Sequence, residues 1–149
     1  MLVEILTASR VVLSGDAASK DQVLAELSRV LAEGDEALAA SILEGFRDRE
    51  DVMSTGIGQG IALPHARLAS ITAMRLALVR YPRGVPFQAL DDHPVTLAFG
   101  IIGPPQAADM HVKVLARIAR LVRKPGAIAA LLEATSPEGV LEILRENEA

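Results

Sequence analysis

The stretch "PVTLAFGII", residues 94–102, is made almost entirely of apolar residues. A short apolar run bounded by turn residues is typical of a strand that is buried on both faces of a sheet. A similar run, "MRLALVRYP" at 74–82, comes before it, and the intervening "RGVPFQALDDHP" at 83–94 predicts a loop. We therefore predict two strands, the second of them in the centre of a sheet.

Apolar residues at helical spacing lie on both sides of these strands. Ser19 and Gln22 resemble a capping box for a first helix that ends before Gly34. Further apolar stripes predict helices over 36–48, 109–124, 126–134 and 137–146, with Asp109 and Ser136 as N-caps of the second and fourth of these. Because helices alternate with apolar strands, and no linker or repeat divides the chain, we predict an α/β fold in one domain over residues 1–149.

Composition narrows the classes of function. Of the 149 residues, 50% are hydrophobic, so the chain can bury a sizeable core. Only 3% are aromatic and the formal net charge is -4, so the stacking platforms and basic surface that nucleic acids require are lacking. The absence of cysteine excludes disulfides and cysteine-bound zinc. The N-terminus predicts neither a signal peptide nor a membrane span, so we expect a cytoplasmic protein whose partners are proteins or small molecules.

A glycine-rich segment, "MSTGIGQGIALPHAR" at 53–67, precedes the first predicted strand. Its glycines Gly56, Gly58 and Gly60 match neither the dinucleotide fingerprint nor the nucleotide-binding P-loop. They permit positive φ angles and close backbone approach, so successive N–H groups could form a concavity that binds an anion. Ser54 and Thr55 would add hydroxyl donors at its entrance. The alternative is that the glycines serve a tight turn, which is their commonest use.

The same segment presents a histidine. Pro64 fixes the backbone immediately before His65 and restricts how the imidazole is presented. A neutral imidazole is a good nucleophile near neutral pH without a separate base, so a histidine beside anion donors favours phosphoryl chemistry. The alternative is a hydrogen-bonded loop histidine with no chemical role.

Two other histidines complete the set. His111 lies in the first turn of the predicted helix over 109–124 and on its apolar face, where the helix dipole favours the neutral ring. The alternative for His111 is a core histidine whose hydrogen bonds are satisfied. His93 lies in the predicted loop, where turn chemistry explains its neighbours. The intervals of 28 and 18 residues between the three histidines match no common zinc-ligand spacing, so we predict no metal site.

Taken together, four segments resemble the phosphotransferase-system (PTS) enzyme IIA domain of the fructose/mannitol type, including its nitrogen-regulatory relatives. They are "RED" at 49–51, "STGIGQGIALPH" at 54–65, "GVPFQALDDHPVTLAFGII" at 84–102 and "MHVKVLARIARLV" at 110–122. The likeness covers nearly the whole chain. It implies a single mixed β-sheet of about five strands sandwiched between helices.

The resemblance also implies a reaction and a site. His65 would accept a phosphoryl group from phospho-HPr or a paralogous carrier and pass it to a cysteine of an enzyme IIB. Arg49 and His111 would assist, the phosphate would lie against Ser54, Thr55, Gly56 and Gly58, and no cofactor would be needed. Ala66 replaces a glycine that is common in relatives, which leaves the loop conformation after His65 open.

A second function is open at this stage. Nitrogen-regulatory members of the family bind target proteins according to their phosphorylation state, and the sequence does not decide between that role and sugar transport. The oligomeric state, including a homodimer, is open as well.

Overall fold

A mixed β-sheet of six strands lies between two layers of helices in the computed structural model, which describes residues 2–89 and 91–148. The strands are β1 (Val11–Val12), β2 (Gly56–Gly58), β3 (Ile61–Ala62), β4 (His65–Arg67), β5 (Arg75–Val85) and β6 (Val95–Gly103). The α-helices are α1 (Lys20–Ala32), α2 (Glu36–Val52), α3 (Ala108–Arg123), α4 (Ala127–Glu133) and α5 (Pro137–Glu148). The predicted α/β class is confirmed, with six strands in place of about five.

The strand order is β1-β5-β6-β3-β2, and β4 also pairs with β6. The two long strands predicted from the sequence, β5 and β6, are antiparallel neighbours, and β5 continues to Val85, so residues 83–85 are strand and not loop. β3 and β4 run parallel to β6 along the same edge, with Ile61 opposite Leu97 and His65 opposite Ile101. Pro64 separates β3 from β4 because it has no N–H to donate. His65 therefore lies beside the carboxyl-terminal half of the central strand.

Alternation along the long strands builds a core on each face of the sheet. Ala77 and Val79 of β5 face α1 and α2, whereas Leu76 and Leu78 face α3, α4 and α5. β6 is buried along almost its whole length, as expected for a strand covered on both faces. This three-layer arrangement places the C-terminal end of α2 and the N-terminal end of α3 next to the edge strand β4.

The helix boundaries confirm most of the predicted caps and correct one. Ser19 accepts a hydrogen bond from the Gln22 N–H at 3.2 Å, and Ser136 accepts one from the Gly139 N–H at 3.0 Å. α2 extends to Val52 instead of residue 48. Among the residues that the structure describes, no helix combines the length and the apolar character needed to cross a membrane.

The prediction that Asp109 caps the third long helix is wrong. A 3₁₀ turn at Pro105–Ala107 leads directly into α3, so Ala107 occupies the N-cap position without a side-chain hydrogen bond. Asp109 is the second residue of the helix, where its carboxylate still interacts favourably with the positive end of the helix dipole.

Candidate functional site

His65 is half-buried and lies where two clefts meet. The hairpin cleft, of about 680 Å³, lies between the β2–β3 hairpin and α3 and includes Ser54 to Gln59 on one wall. The helix cleft, of about 330 Å³, is lined by Gly45, Asp48, Arg49, His65, Ala66, Arg67 and His111. Arg49 and His65 line both clefts. The imidazole is therefore neither sealed in the core nor distant from the predicted arginine.

A backbone carbonyl determines the tautomer of His65. The Nδ1 atom lies 2.8 Å from the carbonyl oxygen of Leu63. A carbonyl oxygen can only accept, so this hydrogen bond requires the proton to be on Nδ1. The lone pair of the neutral ring is then on Nε2, and Nε2 is the nitrogen available as a nucleophile.

The surroundings of His65 favour this neutral form. Burial lowers the pKa of His65 below its ordinary value of 6.5, and the positive charges of Arg49 and Arg67 lower it further. The hydrogen bond with the Leu63 backbone and the negative charge of Glu50 oppose the lowering. Because the effects that lower the pKa outweigh those that raise it, the neutral, nucleophilic form of the ring predominates at neutral pH.

His111 is buried next to His65. Its relative exposure is 3%, and the two ring centroids are 5.3 Å apart at an interplanar angle of 56°. Neither His111 ring nitrogen has a hydrogen-bond partner among the described residues. Buried polar atoms are nearly always paired. The unpaired nitrogens of His111 therefore do not fit the alternative of a core histidine whose hydrogen bonds are satisfied. Burial, with smaller effects of His65 and Arg67, lowers the pKa of His111 to about 4, so this ring is also neutral.

Arg49 reaches the site because α2 packs closely against β4. A Cβ atom at Gly45 would lie 2.9 Å from the Ala66 Cβ, so only glycine permits this approach. Arg49 is one turn further along the same face of α2. Arg49 as a whole is half-buried, and its guanidinium donates a solvent-exposed hydrogen bond, 3.1 Å from Nη1 to the Met53 carbonyl oxygen. Ala66 lies in a regular strand, so the departure from glycine at this position needs no special backbone conformation.

Ser54, Thr55, Gly56 and Gly58 all line the hairpin cleft with His65, but donors of the first three are used within the protein. The Ser54 hydroxyl donates to the Phe87 carbonyl oxygen at 3.2 Å, and the Gly56 N–H donates to the Ser54 hydroxyl, also at 3.2 Å. The Thr55 N–H and hydroxyl both donate to the Glu50 carboxylate. Phosphate binding by these four residues stays a prediction.

The glycines form a tight hairpin and not an open loop. Gly58 and Gly60 have φ angles of +92° and +79°, where side chains are disfavoured, and a register irregularity interrupts the pairing of β2 with β3. The N–H of Gln59 at the turn donates to the Asp91 carboxylate at 2.9 Å. Positive φ angles are therefore present at Gly58 and Gly60 but not at Gly56, and they serve the tight turn that was the alternative interpretation.

His93 is not part of this site. Its side chain is 69% exposed and its Nδ1 lies 3.3 Å from the Asp91 carboxylate, in the loop that the sequence predicted. Within residues 2–89 and 91–148, no cluster of three or more histidine, aspartate or glutamate side chains could hold a metal ion.

Two charged residues were missed by the sequence analysis. Arg67 lines the helix cleft with His65 and His111 and lowers the pKa of both. Residues two apart in a strand point to the same side of the sheet. Predicting a strand over 65–67 would therefore have placed the Arg67 side chain on the same side as His65. Glu50, next to Arg49, is buried and holds Thr55. Its burial could not be read from a charged run at a helix end.

The buried His111 makes stability depend on pH. The pKa of His111 is 6.5 in the unfolded chain and about 4 in the folded one. At pH values between these two, the unfolded state binds a proton that the folded state excludes. We expect the free energy of unfolding to fall by on the order of 2–3 kcal/mol from neutral pH to pH 4. Denaturant titrations at several pH values measure this. His111→Leu should remove most of the loss, and an equally steep loss in that variant would contradict the assignment.

Comparison with known proteins identifies a family for this chain. Residues 4–147 match the family described as "Phosphoenolpyruvate-dependent sugar phosphotransferase system, EIIA 2". A fructose-specific EIIABC component of Bacillus subtilis is 31% identical over 99% of the chain, which spans 23% of that protein. A nitrogen regulatory protein of Pseudomonas aeruginosa is 33% identical over 96% of this chain and 94% of its own length.

A solved structure is also similar. The nitrogen regulatory protein IIA-Ntr from Neisseria meningitidis superposes with a TM-score of 0.89 at 33% identity, covering 95% of this chain and 97% of that one. The family match extends over nearly all the described residues, and it includes the segment that contains Arg49, His65 and His111. The chain therefore belongs to the phosphoenolpyruvate-dependent sugar phosphotransferase system EIIA 2 family.

Proposed function

We propose that this protein is a phosphoryl carrier that accepts phosphate from phospho-HPr, or a paralogous carrier, on His65 and passes it to an enzyme IIB. The observation that carries the proposal is the Nδ1 hydrogen bond to Leu63, which leaves the Nε2 lone pair for attack. The proposal requires no cofactor, nucleotide, nucleic acid or membrane insertion, and it places the carrier in the cytoplasm.

The transfer needs one bond exchange. The Nε2 lone pair of His65 attacks phosphorus in line with the nitrogen–phosphorus bond of the donor phosphohistidine. A new nitrogen–phosphorus bond forms at His65. The electron pair of the broken bond returns to the donor ring, which carries a proton on its other nitrogen and therefore leaves as a neutral imidazole. The Leu63 carbonyl stabilises the positive charge that develops on the attacking ring, because it accepts from Nδ1–H throughout. Passage to a IIB cysteine is the same exchange with a thiolate as the attacking group.

Arg49 would neutralise the phosphoryl oxygens. Its planar guanidinium can form two parallel hydrogen bonds to phosphate, which a neutral donor cannot match. Arg67, in the helix cleft, would add a second positive charge. Because the donors of Ser54 and Thr55 are engaged elsewhere, we propose that these two residues, with Gly56 and Gly58, shape the wall against which the phosphate lies.

His111 would donate its N–H to the phosphoryl group or orient His65. Its unpaired, buried ring nitrogens support this, because a phosphoryl oxygen would supply the missing acceptor.

We expect His111→Leu to separate stability from transfer. The free energy of unfolding at neutral pH should stay the same or rise by about 1 kcal/mol, because an apolar side chain replaces an unpaired polar one. The rate of phosphoryl transfer to His65 should fall about tenfold or more. A denaturant titration and a quench-flow transfer assay measure the two quantities. A variant that is destabilised by several kcal/mol, or that transfers at the normal rate, would contradict this role.

The hairpin cleft suits a protein partner. Met53 and Val112 are each 63% exposed and Ile57 is 40% exposed on its walls, beside the imidazole. Exposed apolar side chains grouped around a reactive residue are typical of a docking surface. The similar B. subtilis protein is described as an EIIABC component, which supports a IIB region as the acceptor.

A regulatory role is the second candidate. The similar proteins of P. aeruginosa and N. meningitidis are described as nitrogen regulatory proteins, and each is matched over nearly its whole length. In this alternative, the charge added to His65 would change the affinity of the surrounding surface for a target protein.

Sequential transfer distinguishes the two roles. The protein is first incubated with radiolabelled phospho-HPr, and the purified phosphoprotein is then mixed with purified IIB proteins. Labelling of His65 followed by passage to a IIB supports the transport role. Labelling without passage to any IIB supports the regulatory one. Failure of His65 to take up label from phospho-HPr or its paralogue would overturn both.

A further inference from the structure

Glu50 is a buried carboxylate at the end of α2. Its side chain is 5% exposed, although it lies in the charged segment at residues 47–51. The two carboxylate oxygens accept from the Thr55 N–H at 3.0 and 3.1 Å, and one also accepts from the Thr55 hydroxyl. Lys20 Nζ lies 2.7 Å from the carboxylate. A buried charge is costly unless it is paired in this way, so Glu50 holds Thr55 firmly.

The hydrogen bonds continue from Thr55 to the nucleophile. The Thr55 carbonyl oxygen accepts from the Leu63 N–H at 2.9 Å. The Leu63 carbonyl oxygen accepts from His65 Nδ1 at 2.8 Å. Glu50, Thr55, Leu63 and His65 therefore form one continuous series of contacts from the end of α2, across the β2–β3 hairpin, to the imidazole.

Lys20 connects this series to the rest of the fold. It is the first residue of α1, and its Nζ lies 5.0 Å from the centre of the Phe87 ring. The Phe87 carbonyl oxygen in turn accepts from the Ser54 hydroxyl. Glu50 and Phe87 thus hold residues 54–55 from two separate segments, and Lys20 contacts both of them, so the hairpin has little freedom to shift relative to α2.

We propose that Glu50 is a positioning residue for His65: by holding Thr55 it fixes the Leu63 carbonyl, which selects the Nδ1–H tautomer and leaves Nε2 to accept the phosphoryl group. The inference rests on the proposed function, in which His65 is the acceptor. Glu50 itself does not contact the phosphate in this arrangement, because its oxygens are occupied by Thr55 and Lys20. Its action is through the hairpin.

Glu50→Gln tests the proposal with little change of shape. The glutamine amide has one acceptor oxygen where the carboxylate has two. Its NH₂ group cannot accept from the Thr55 N–H or hydroxyl, so one of the contacts that hold Thr55 is lost. Glu44→Gln is the matched control, because it removes one negative charge from the exposed face of the same helix. The ¹⁵N chemical shifts of labelled histidine report the tautomer of His65, and transfer from radiolabelled phospho-HPr reports the rate.

We expect Glu50→Gln to fold, to move His65 towards the Nε2–H tautomer, and to accept phosphate about 10–100-fold more slowly, by analogy with the loss of a hydrogen-bond partner that orients a metal-binding histidine. Glu44→Gln should match the wild type in both. A folded Glu50→Gln protein with the wild-type tautomer would overturn the proposal, whatever its transfer rate. If phospho-HPr does not label the wild type, the proposed function fails, while the tautomer measurement still decides the role of Glu50.

A second pair of variants serves if Glu50→Gln does not fold. Thr55→Val removes the hydroxyl donor to Glu50, whereas Thr55→Ser keeps it. The proposal expects the valine variant to move His65 further towards the Nε2–H tautomer, and to accept phosphate more slowly, than the serine variant. Equal tautomer ratios in the two would overturn it.

Discussion

Replacing His65 with alanine is expected to abolish acid-labile phosphorylation by phospho-HPr, to the background of the assay. The proposed nucleophile is Nε2 of His65, and the other neutral imidazole nearby, His111, is 3% exposed and too buried for a donor protein to reach. The fold should be retained because β4 pairs with β6 through backbone groups that the substitution leaves in place. Radiolabelling with and without acid treatment measures the first effect, and circular dichroism with a thermal melt measures the second.

His93→Ala is the matched control for this experiment. It removes a histidine whose side chain is 69% exposed and far more accessible than His65, in a loop outside both clefts that contain His65. His93→Ala should accept phosphate at the wild-type level. Full labelling of the His65→Ala protein, or loss of labelling in the His93→Ala protein, would show that the acceptor has been misassigned.

Replacing Arg49 with alanine is expected to slow phosphoryl transfer on the order of 100-fold or more, the loss typical of a donor aimed at charge in a transition state. Arg49 lines both clefts with His65, and its charge contributes to lowering the pKa of that ring. Without this guanidinium, less positive charge would offset the negative charge of the phosphoryl oxygens as they approach His65. Single-turnover transfer from phospho-HPr, followed by rapid quenching, measures the change.

Two further variants isolate the guanidinium. Arg47→Ala removes a positive charge from the same helix, but Arg47 is paired with Asp21 at 2.9 Å on the exposed side, so transfer should be unaffected. Arg49→Lys keeps the charge and loses the planar fork, so we expect an intermediate rate. A normal rate for Arg49→Ala would remove this residue from the mechanism, and equal losses in Arg47→Ala would assign the effect to net charge.

The long elements were predictable because their patterns are local. Two apolar runs identified β5 and β6 as strands, and the predicted caps Ser19 and Ser136 were observed at α1 and α5. The four short strands were not predicted, since each has only two or three residues. Such segments become strands only through hydrogen bonds to residues far along the chain, as β1 does with β5.

The fold class and the candidates His65 and His111 could be derived from local patterns in the sequence, because periodicity and motif spacing are properties of neighbouring residues. The family and the role expected of Arg49 came from the resemblance of four segments to a known family. The tertiary structure alone decided the burial and hydrogen-bond partners of these groups, and with them the tautomer of His65. The Leu63 contact sets the tautomer of His65, His111 is buried with unpaired nitrogens, and Ser54 is engaged by Phe87, 33 residues away. Burial and hydrogen-bond partners depend on which distant segments meet, and no local pattern encodes that.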